Sequence, residues 1–350
     1  MSDRTQNPYE DLPATAFWRT GVAEQPPLAT QGLYQPRFKI GPRARIFTAG
    51  SCFAQHVGRA LRANGFTVLD AEPAPASVSD AVARRFGYRM YSARYGNIYT
   101  ARQMVQLLQE TAGVFTPAEP VWRRVINGRE RFFDSQRPAI EPDGLASEQA
   151  VLEHRARHLS AVSRAVATAD VFVFTLGLTE AWVHRQAGDV YPTAPGAIAG
   201  EFDPEVYAFK NFTVDEVFRD FARFRRFVRR IRPRARFVLT VSPVPLTATA
   251  SGKHVQVAST YSKAVLRAVA GMAYDRFSDV DYMPSYEIIT SPANHGVYFE
   301  ANKRSVTPQG VAAAMDAFMS GHARAKTRTR SPRAEDIQCE ESLLEAFAKR

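Results

Sequence analysis

Residues 45–61 constrain the fold of this chain more than any other stretch, because they join a strand pattern directly to a helix pattern. Residues 46–49 form a short apolar run of the kind that predicts a buried strand. Gly50 permits the sharp turn that follows. Beyond the turn, apolar side chains recur every fourth residue, at Phe53, Val57 and Leu61. This spacing predicts a helix with one buried face, and the whole stretch predicts the first β-α unit of the fold.

Ser51 and Cys52 lie between that strand and that helix. The first turn of a helix carries free N–H groups and the positive end of the helix dipole, and both favour the anionic form of a thiol. Cys52 is therefore a candidate nucleophile on physical grounds. The alternative is that Cys52 is a small buried packing residue, which is the commonest state of a free cysteine.

The length of 350 residues predicts one large domain with additions or two modest domains. A hydrophobic content of 45% is sufficient for a globular core. The formal net charge of +10 raises the possibility of a nucleic-acid binder. However, the charge is spread as arginine over predicted helices and a C-terminal tail, without a nucleic-acid-binding motif. We interpret it as a solvated basic surface suited to anionic substrates, and expect no nucleic-acid partner.

The two cysteines, Cys52 and Cys339, give no disulfide framework, because Cys339 lies in a polar tail. This cysteine usage is consistent with a reducing cytoplasm, which we expect as the location of the protein. Residues 1–27 lack the pattern of a signal peptide, and no apolar run approaches the length of a membrane span. No metal-ligand spacing and no dinucleotide-binding glycine motif is present, so we expect no metal and no cofactor.

The chain divides into three parts by composition. Residues 1–41 are rich in proline, glutamine and other polar residues and predict an extended arm that wraps the core. Residues 42–322 carry the strand and helix patterns and predict the main domain. Residues 323–350 begin with a basic low-complexity stretch at 324–333, which we expect to be disordered, and end with a short helix at 337–348.

Four more strand patterns follow the first, at residues 66–69, 171–176, 236–241 and 280–282. The run at 171–176 is typical of a central parallel strand that is buried on both faces. With helix patterns between the strands, the predicted fold class is a three-layer α/β/α domain with a mainly parallel five-stranded sheet. Residues 119–142 contain Asn-Gly between alternating segments and predict an inserted β-hairpin. Residues 186–211 are rich in glycine and proline and predict a long functional or mobile loop.

The segment Gly50-Ser51-Cys52-Phe53-Ala54 resembles the signature of the GSCFA family, which is similar to a branch of the GDSL/SGNH hydrolase superfamily. The superfamily motif is Gly-Asp-Ser-Leu after the first strand. In an ungapped overlay Cys52 takes the place of the nucleophilic serine and Ser51 that of the aspartate. The resemblance therefore implies an SGNH-like fold with Cys52 as nucleophile, and Ser51 remains the alternative. The phrases at 97–103 and 242–263 also resemble the family.

The resemblance also implies donors for an oxyanion. In the superfamily the second block contributes a glycine N–H, for which Gly96 is the matching candidate, with Asn97 beside it. The third block is Gly-x-Asn-Asp/Glu, and Thr179 stands where its asparagine would be. A threonine hydroxyl can still donate one hydrogen bond. Glu180 and Trp182 follow and could orient the substrate, although a capping role and a core role are equally simple explanations for them.

The general base is the weakest part of the resemblance. The superfamily places a histidine in Asp-x-x-His just before the last helix, but the matching stretch at 303–308 contains none. We rank His254 first, because it belongs to a family-like phrase, and His295 second, because it is the nearest histidine upstream of that stretch. His56 ranks third, because it lies one turn beyond Cys52 on the same helix.

A cysteine–histidine pair with oxyanion donors predicts acyl transfer through a thioester intermediate. The expected function is therefore that of an acyl esterase or acyltransferase. Because the superfamily acts on esters that include those on polysaccharides, the expected substrate is a small acylated molecule or an acylated glycan. The missing histidine favours the alternative, a non-catalytic glycan-binding or scaffolding module on a degenerate hydrolase fold. The oligomeric state stays open at this stage.

Overall fold

The computed structural model describes residues 7–26, 28–322 and 338–348. The strands are β1 (Arg45–Gly50), β2 (Thr67–Val68), β3 (Val121–Ile126), β4 (Arg129–Asp134), β5 (Val171–Leu176), β6 (Glu180–His184), β7 (Val190–Tyr191), β8 (Tyr207–Asn211), β9 (Arg236–Val241) and β10 (Val280–Tyr282). The helices are α1 (Phe53–Ala63), α2 (Asp80–Arg85), α3 (Ala101–Thr111), α4 (Glu148–Thr168), α5 (Val214–Ile231), α6 (Val255–Arg276), α7 (Ser285–Thr290) and α8 (Pro308–Ser320).

The main sheet has five strands in the order β10-β9-β5-β1-β2, and every neighbouring pair is parallel. One face of the sheet packs against α3, α4, α5 and α6, and the other packs against α1, α7 and α8. The predicted three-layer α/β/α architecture with a five-stranded parallel sheet is therefore confirmed. The carboxyl ends of β1, β5 and β9 lie side by side at one edge, which is where such sheets bind ligands.

The central strand β5 shows why this sequence builds a covered sheet. All six of its residues are buried, as expected for a parallel strand with helices on both faces. Phe172 and Phe174 point to one side, where Phe172 stacks on Phe237 of β9 with ring centroids 5.5 Å apart. Val171 and Val173 point to the other side and pack in the second core. The alternation of side chains along a strand thus divides one apolar run between two cores.

The predicted hairpin is present as β3 and β4, which pair antiparallel around the turn at Asn127 and Gly128. Both turn residues have positive φ, as this type of two-residue turn requires. The prediction of a loop at 186–211 is partly wrong, because this range contains β7 and β8. These two strands pair with β6 to form a second, antiparallel sheet of three strands. The strands are short and flank a segment rich in glycine and proline, so their alternation was hidden in the sequence.

The N-terminal arm is fixed to the domain by Tyr34, whose buried hydroxyl donates to Asp281 over 2.8 Å. Trp18 of the same arm is exposed. At the other end, residues Glu340–Phe347 form a short 3-10 helix inside the range predicted as helical. The basic stretch at 324–333 lies outside the described residues. Within the described ranges, no helix has both the length and the apolar character needed to span a bilayer.

Candidate active site

Cys52 is the residue that immediately precedes α1, at the carboxyl end of β1. Gly50 makes this turn possible, because its φ of +137° suits glycine and a Cβ there would collide with the backbone of Thr175 in β5. The N–H of Ser51 then donates to the carbonyl of Thr175 over 3.1 Å. The predicted strand-to-helix turn is therefore present, and it is tied directly to the central strand.

Two further segments converge on this turn. Gly177 follows β5, and a Cβ at this glycine would lie 2.8 Å from the Cβ of Ser51. The N–H groups of Gly177 and Leu178 both donate to the carbonyl of Tyr99, each over 3.1 Å. Tyr99 lies in the loop that precedes α3. The loop before α3 and the end of β5 thus form two sides of the site around Ser51 and Cys52.

The sulfur of Cys52 is buried, and its partner is the sulfur of Cys339. Cys339 belongs to residues 338–348, which we call the C-terminal segment. The hydrogen bond from Cys52 to Cys339, together with burial, raises the pKa of the Cys52 thiol well above its usual value. The same hydrogen bond and the nearby Arg304 lower the pKa of Cys339 to about 5. These contacts favour the anion on Cys339 and the proton on Cys52.

Two carboxylates of the C-terminal segment also enter the site. Glu340 and Glu341 are 7% and 8% exposed, which is unusual for acidic residues without strong partners. Glu340 accepts hydrogen bonds from the side-chain amide of Asn97 and from the hydroxyl of Tyr99. Glu341 pairs with Arg304 over 3.2 Å. Burial raises the pKa of both carboxyls, that of Glu341 to about 8. The C-terminal segment therefore fills the site with two carboxyl groups, which bond to Asn97, Tyr99 and Arg304.

Lys263 supplies the second positive group of the site. It lies on the buried face of α6, and its Nζ donates to the carbonyl of Gly177 over 2.7 Å. Burial lowers the pKa of Lys263 to about 8, although the nearby charges of Glu341 and Cys52 act in the opposite direction. An amine with this pKa is partly neutral near neutral pH, so it can accept a proton.

The three histidines predicted as candidate bases have different surroundings. His254 is exposed and precedes α6, where its Nδ1 accepts a hydrogen bond from the N–H of Gln256 over 3.2 Å. His295 is exposed in a loop with φ of +49° and lines a cavity of about 710 Å³ beside the N-terminal arm. His56 is buried, and burial lowers its pKa to about 3. Among the described contacts, none of these three imidazoles has a hydrogen bond to Cys52.

The predicted oxyanion donors lie close to the turn or to the C-terminal segment. Thr179 is fully buried, its N–H donates to the hydroxyl of Ser262 over 3.0 Å, and its own hydroxyl has no hydrogen-bond partner in the described structure. Gly96 has a φ of +70°, and a Cβ there would lie 3.2 Å from a carboxylate oxygen of Glu340. Asn97 already donates to that carboxylate. The structure thus brings Gly96 and Asn97 together around one acidic group.

Glu180 and Trp182 line a cavity of about 210 Å³. Tyr99 forms another part of its wall, and Glu341 and Leu344 of the C-terminal segment close one side. Glu180 accepts a hydrogen bond from the hydroxyl of Thr249 over 2.9 Å, and burial raises the pKa of its carboxyl. The cavity has the aromatic wall and the few polar groups that are typical of a small-molecule site.

Sequence reasoning missed Lys263, Arg304 and the entry of the C-terminal segment into the site. A signal for Lys263 existed, because it interrupts an apolar stripe of α6 inside the family-like phrase Tyr261-Ser262-Lys263. Arg304 lies in the stretch 303–308, where a histidine was sought. No local pattern marks Cys339 as a neighbour of Cys52. In the described ranges, no group of histidine, cysteine and acidic side chains has the arrangement needed to hold a metal ion.

Comparison with known proteins gives one family. A model described as the GSCFA family matches residues 45–318. The match includes Cys52, Thr179, Lys263 and Arg304, but it ends before the C-terminal segment begins. A comparison with curated proteins gives no match.

Proposed function

Since this chain belongs to the GSCFA family, we propose that it is an acyl esterase or acyltransferase that works through a covalent acyl-enzyme on Cys52. One observation carries the proposal. A cysteine at the start of a helix and the end of a parallel strand lies in a buried site with two cationic side chains, Lys263 and Arg304. Positive groups and a helix N-terminus are what stabilise a reactive thiolate.

The C-terminal segment must leave the site before this chemistry begins. While it is bound, the Cys52 thiol donates to Cys339 and keeps its proton. When the segment leaves, the negative charge of Cys339 and the carboxyl of Glu341 leave with it, whereas Lys263 and Arg304 remain. The loss of the Cys339 anion from the vicinity of Arg304 favours ionisation of Cys52. The conformation described here is therefore a resting state in this proposal.

In the first step, neutral Lys263 accepts the proton of Cys52, and the thiolate attacks the carbonyl carbon of the ester. The oxygen becomes an oxyanion that accepts hydrogen bonds from backbone N–H groups at Cys52 and Gly96 and from the hydroxyl of Thr179. Collapse of this intermediate breaks the bond to the alcohol, which leaves with the proton held by Lys263. The product is a thioester on Cys52.

In the second step, water or an acceptor hydroxyl attacks the thioester, and Lys263 again takes the proton. The carbon–sulfur bond then breaks, and the Cys52 thiolate leaves and regains its proton from Lys263. Attack by water completes hydrolysis, and attack by a hydroxyl completes acyl transfer. The proposed substrate is a small acylated molecule or an acylated glycan. The cavity that shares Tyr99 and Glu341 with the site is suited to a sugar ring, because Tyr99 and Trp182 give it an aromatic wall and Glu180 can accept hydrogen bonds from hydroxyls.

A burst experiment with an activated aryl ester tests the proposal. We expect one equivalent of aryl alcohol to be released rapidly, with an acyl group on Cys52 found by mass spectrometry of the peptides. The experiment is best done in a Cys339→Ser background, because the Cys339 thiol is itself reactive. Cys52→Ala abolishes the adduct and Ser51→Ala retains it. The opposite pattern would make Ser51 the nucleophile.

The alternative is a non-catalytic glycan-binding or scaffolding module, which is favoured by the position of His254 and His295 on exposed segments. That module would bind acylated and deacylated glycans without turnover. Neither a burst nor an adduct would then be seen with any ester, and Cys52→Ala would bind the glycan as well as the wild type.

A further inference from the structure

We propose that Cys52 and Cys339 form a reversible disulfide, which would fix the C-terminal segment across the candidate active site. This inference does not depend on the acyl chemistry proposed above. It rests on how the residues on both sides of Cys339 are held beside Cys52, on the interaction of the two cysteine side chains, and on the charges that face Cys339.

The proximity of the two cysteines is built into the fold. Gln55 lies in the first turn of α1, three residues after Cys52. Its side-chain amide donates to the carbonyl of Gln338 over 2.7 Å and accepts from the N–H of Gln338 over 3.3 Å. Gln338 immediately precedes Cys339, and its own side chain donates to the carbonyl of Arg84 over 2.6 Å. The residue before Cys339 is thus bound to the same helix turn that presents Cys52.

The residues after Cys339 are held as firmly. Glu340 binds Asn97 and Tyr99, and Glu341 binds Arg304. These contacts lie on the two positions that follow Cys339, so the sulfur is held from both directions along the chain. The entropic cost of bringing two thiols together has therefore been met by non-covalent contacts before any bond forms.

The two sulfurs differ in exposure and in charge, and this difference favours stepwise disulfide formation. Cys339 is partly exposed, whereas Cys52 is 5% exposed. Arg304 lies 3.6 Å from the sulfur of Cys339, and the hydroxyl of Tyr99 lies 3.8 Å from it. Both groups stabilise an anion on Cys339, in agreement with its lowered pKa of about 5. Cys339 is therefore the thiolate that meets an oxidant first, and Cys52 is the thiol that resolves the product.

The oxidant is a low-molecular-weight disulfide, RSSR. The Cys339 thiolate attacks one sulfur of RSSR, a mixed disulfide forms on Cys339, and one RS⁻ leaves and takes up a proton. Cys52 then loses its proton to solvent and attacks the Cys339 sulfur, and the second RS⁻ leaves and is protonated. Two protein thiols become one disulfide and RSSR becomes two RSH. An excess of RSH reverses both steps.

The disulfide would have two consequences for the site. It would remove the Cys52 thiol from any reaction. It would also keep Glu340 and Glu341 in the site even when their non-covalent contacts break. Reduction would restore the arrangement described here, in which the two thiols share a hydrogen bond.

Peptide mapping of the full chain tests the inference. Reduced protein is treated with oxidised glutathione at low protein concentration, and the remaining thiols are blocked with iodoacetamide. We expect the intact mass to fall by two hydrogens, and digestion without reductant to yield one cross-linked pair that contains Cys52 and Cys339. Dithiothreitol should return both thiols. The inference is overturned if glutathione stays on Cys339 while Cys52 is alkylated, or if the cross-link joins only separate chains.

Two matched variants test whether the fold, rather than reactivity alone, directs the bond. Gln55→Ala removes the contacts that hold Gln338, so the mixed disulfide on Cys339 should accumulate and the cross-link should form about tenfold more slowly. Gln149→Ala changes an exposed glutamine on α4 and should leave the rate unchanged. Equal rates in Gln55→Ala and the wild type would contradict the assignment of this pairing to the docked segment.

Discussion

The guanidinium of Arg304 lies 3.6 Å from the sulfur of Cys339. Arg304 belongs to the part of the chain that the family model matches, whereas Cys339 lies beyond it. The same guanidinium pairs with Glu341, and the pKa of that carboxyl is raised to about 8, mainly by burial. One cation therefore interacts with two potential anions of the C-terminal segment. After the hydrogen bond from Cys52, this contact is a further cause of the lowered pKa of the Cys339 thiol.

We predict that Cys339 is alkylated at a rate that changes little above about pH 6. With a pKa of about 5, the Cys339 thiol is already largely ionised there, whereas an ordinary cysteine with a pKa of about 8.5 is not. Arg304→Gln should move the midpoint of the pH profile upward, because it removes a positive charge. The measurement is the rate of iodoacetamide labelling at Cys339, quantified by peptide mass spectrometry.

Arg129→Gln is the control for this profile, because Arg129 is an exposed residue of the β3–β4 hairpin. It should leave the midpoint unchanged. Cys52→Ala should also raise the midpoint, since the hydrogen bond from Cys52 is the largest cause of the lowered pKa. A midpoint near 8.5 in the wild type would contradict the prediction.

We predict that acylation of Cys52 depends on the neutral form of Lys263. Burial lowers the pKa of this amine, and the fraction of neutral amine rises with pH, so the acylation rate should rise with pH and level off once the amine is neutral. Lys263→Met should lower the rate by about 10²–10⁴-fold. Lys263→Arg keeps the positive charge but does not accept a proton at these pH values. Full activity of Lys263→Arg would exclude the role of Lys263 as base.

We predict that Asp134 contributes to stability in a pH-dependent way. Burial alone would raise the pKa of its carboxyl, but Arg155 and Arg137 lower the pKa to about 2. Arg155 donates to both of its oxygens, over 2.9 and 3.0 Å. A carboxyl with a lowered pKa stabilises the fold above the unfolded value of about 3.9, and this contribution is lost as pH falls toward 2. Asp134→Asn should flatten the dependence of unfolding free energy on pH in that window.

At neutral pH, Asp134→Asn should cost up to about 3–5 kcal/mol, because it removes the carboxylate that buried Arg155 and Arg137 share. Among the described ion pairs, Arg155 then keeps only Glu110, and Arg137 keeps only the longer contact to Glu72 over 3.9 Å. Asp143→Asn is the matched control. Asp143 pairs with Arg85, and both side chains are more than half exposed, so the loss should stay below about 1 kcal/mol. Urea unfolding at several pH values measures both effects, and similar losses in the two variants would contradict the prediction.

We predict that Gly177→Ala destabilises the protein by about 1–3 kcal/mol. The added methyl carbon would lie 2.8 Å from the Cβ of Ser51 and 3.1 Å from the carbonyl oxygen of Tyr99. Gly41→Ala is the control, because a Cβ at that glycine has no neighbour within 4 Å. Its unfolding midpoint in urea should change little. Equal midpoints for the two variants would show that the turn at Ser51 is looser than described.

The main sheet could be predicted because its information is local. The apolar runs at 46–49 and 171–176 and the helix stripe after Gly50 each fit within a few residues. The small sheet of β6, β7 and β8 could not be predicted in the same way. Its strands have only two to five residues, and their pairing depends on the positions of distant segments.

The candidate site shows the same difference between local and long-range sequence information. The turn that carries Cys52 is encoded next to it in the sequence, so it was found. The groups that face Cys52 come from α6, from the stretch before α8 and from the C-terminal segment. The expected base was a histidine, as in the GDSL/SGNH superfamily that the sequence resembles. Lys263 was therefore not among the candidates. Which polar side chain reaches a buried sulfur depends on packing between helices, which no local pattern records.

The C-terminal segment has a consequence for how the site meets other molecules. Because Glu340 and Glu341 are part of the same polypeptide as Asn97 and Arg304, every protein molecule carries its own competitor in a ratio of one to one. Dilution does not dissociate this competitor, so the fraction of open sites is independent of protein concentration. In the proposed function, an incoming substrate must displace the segment, and its apparent affinity is weakened by the same factor at every concentration of the protein.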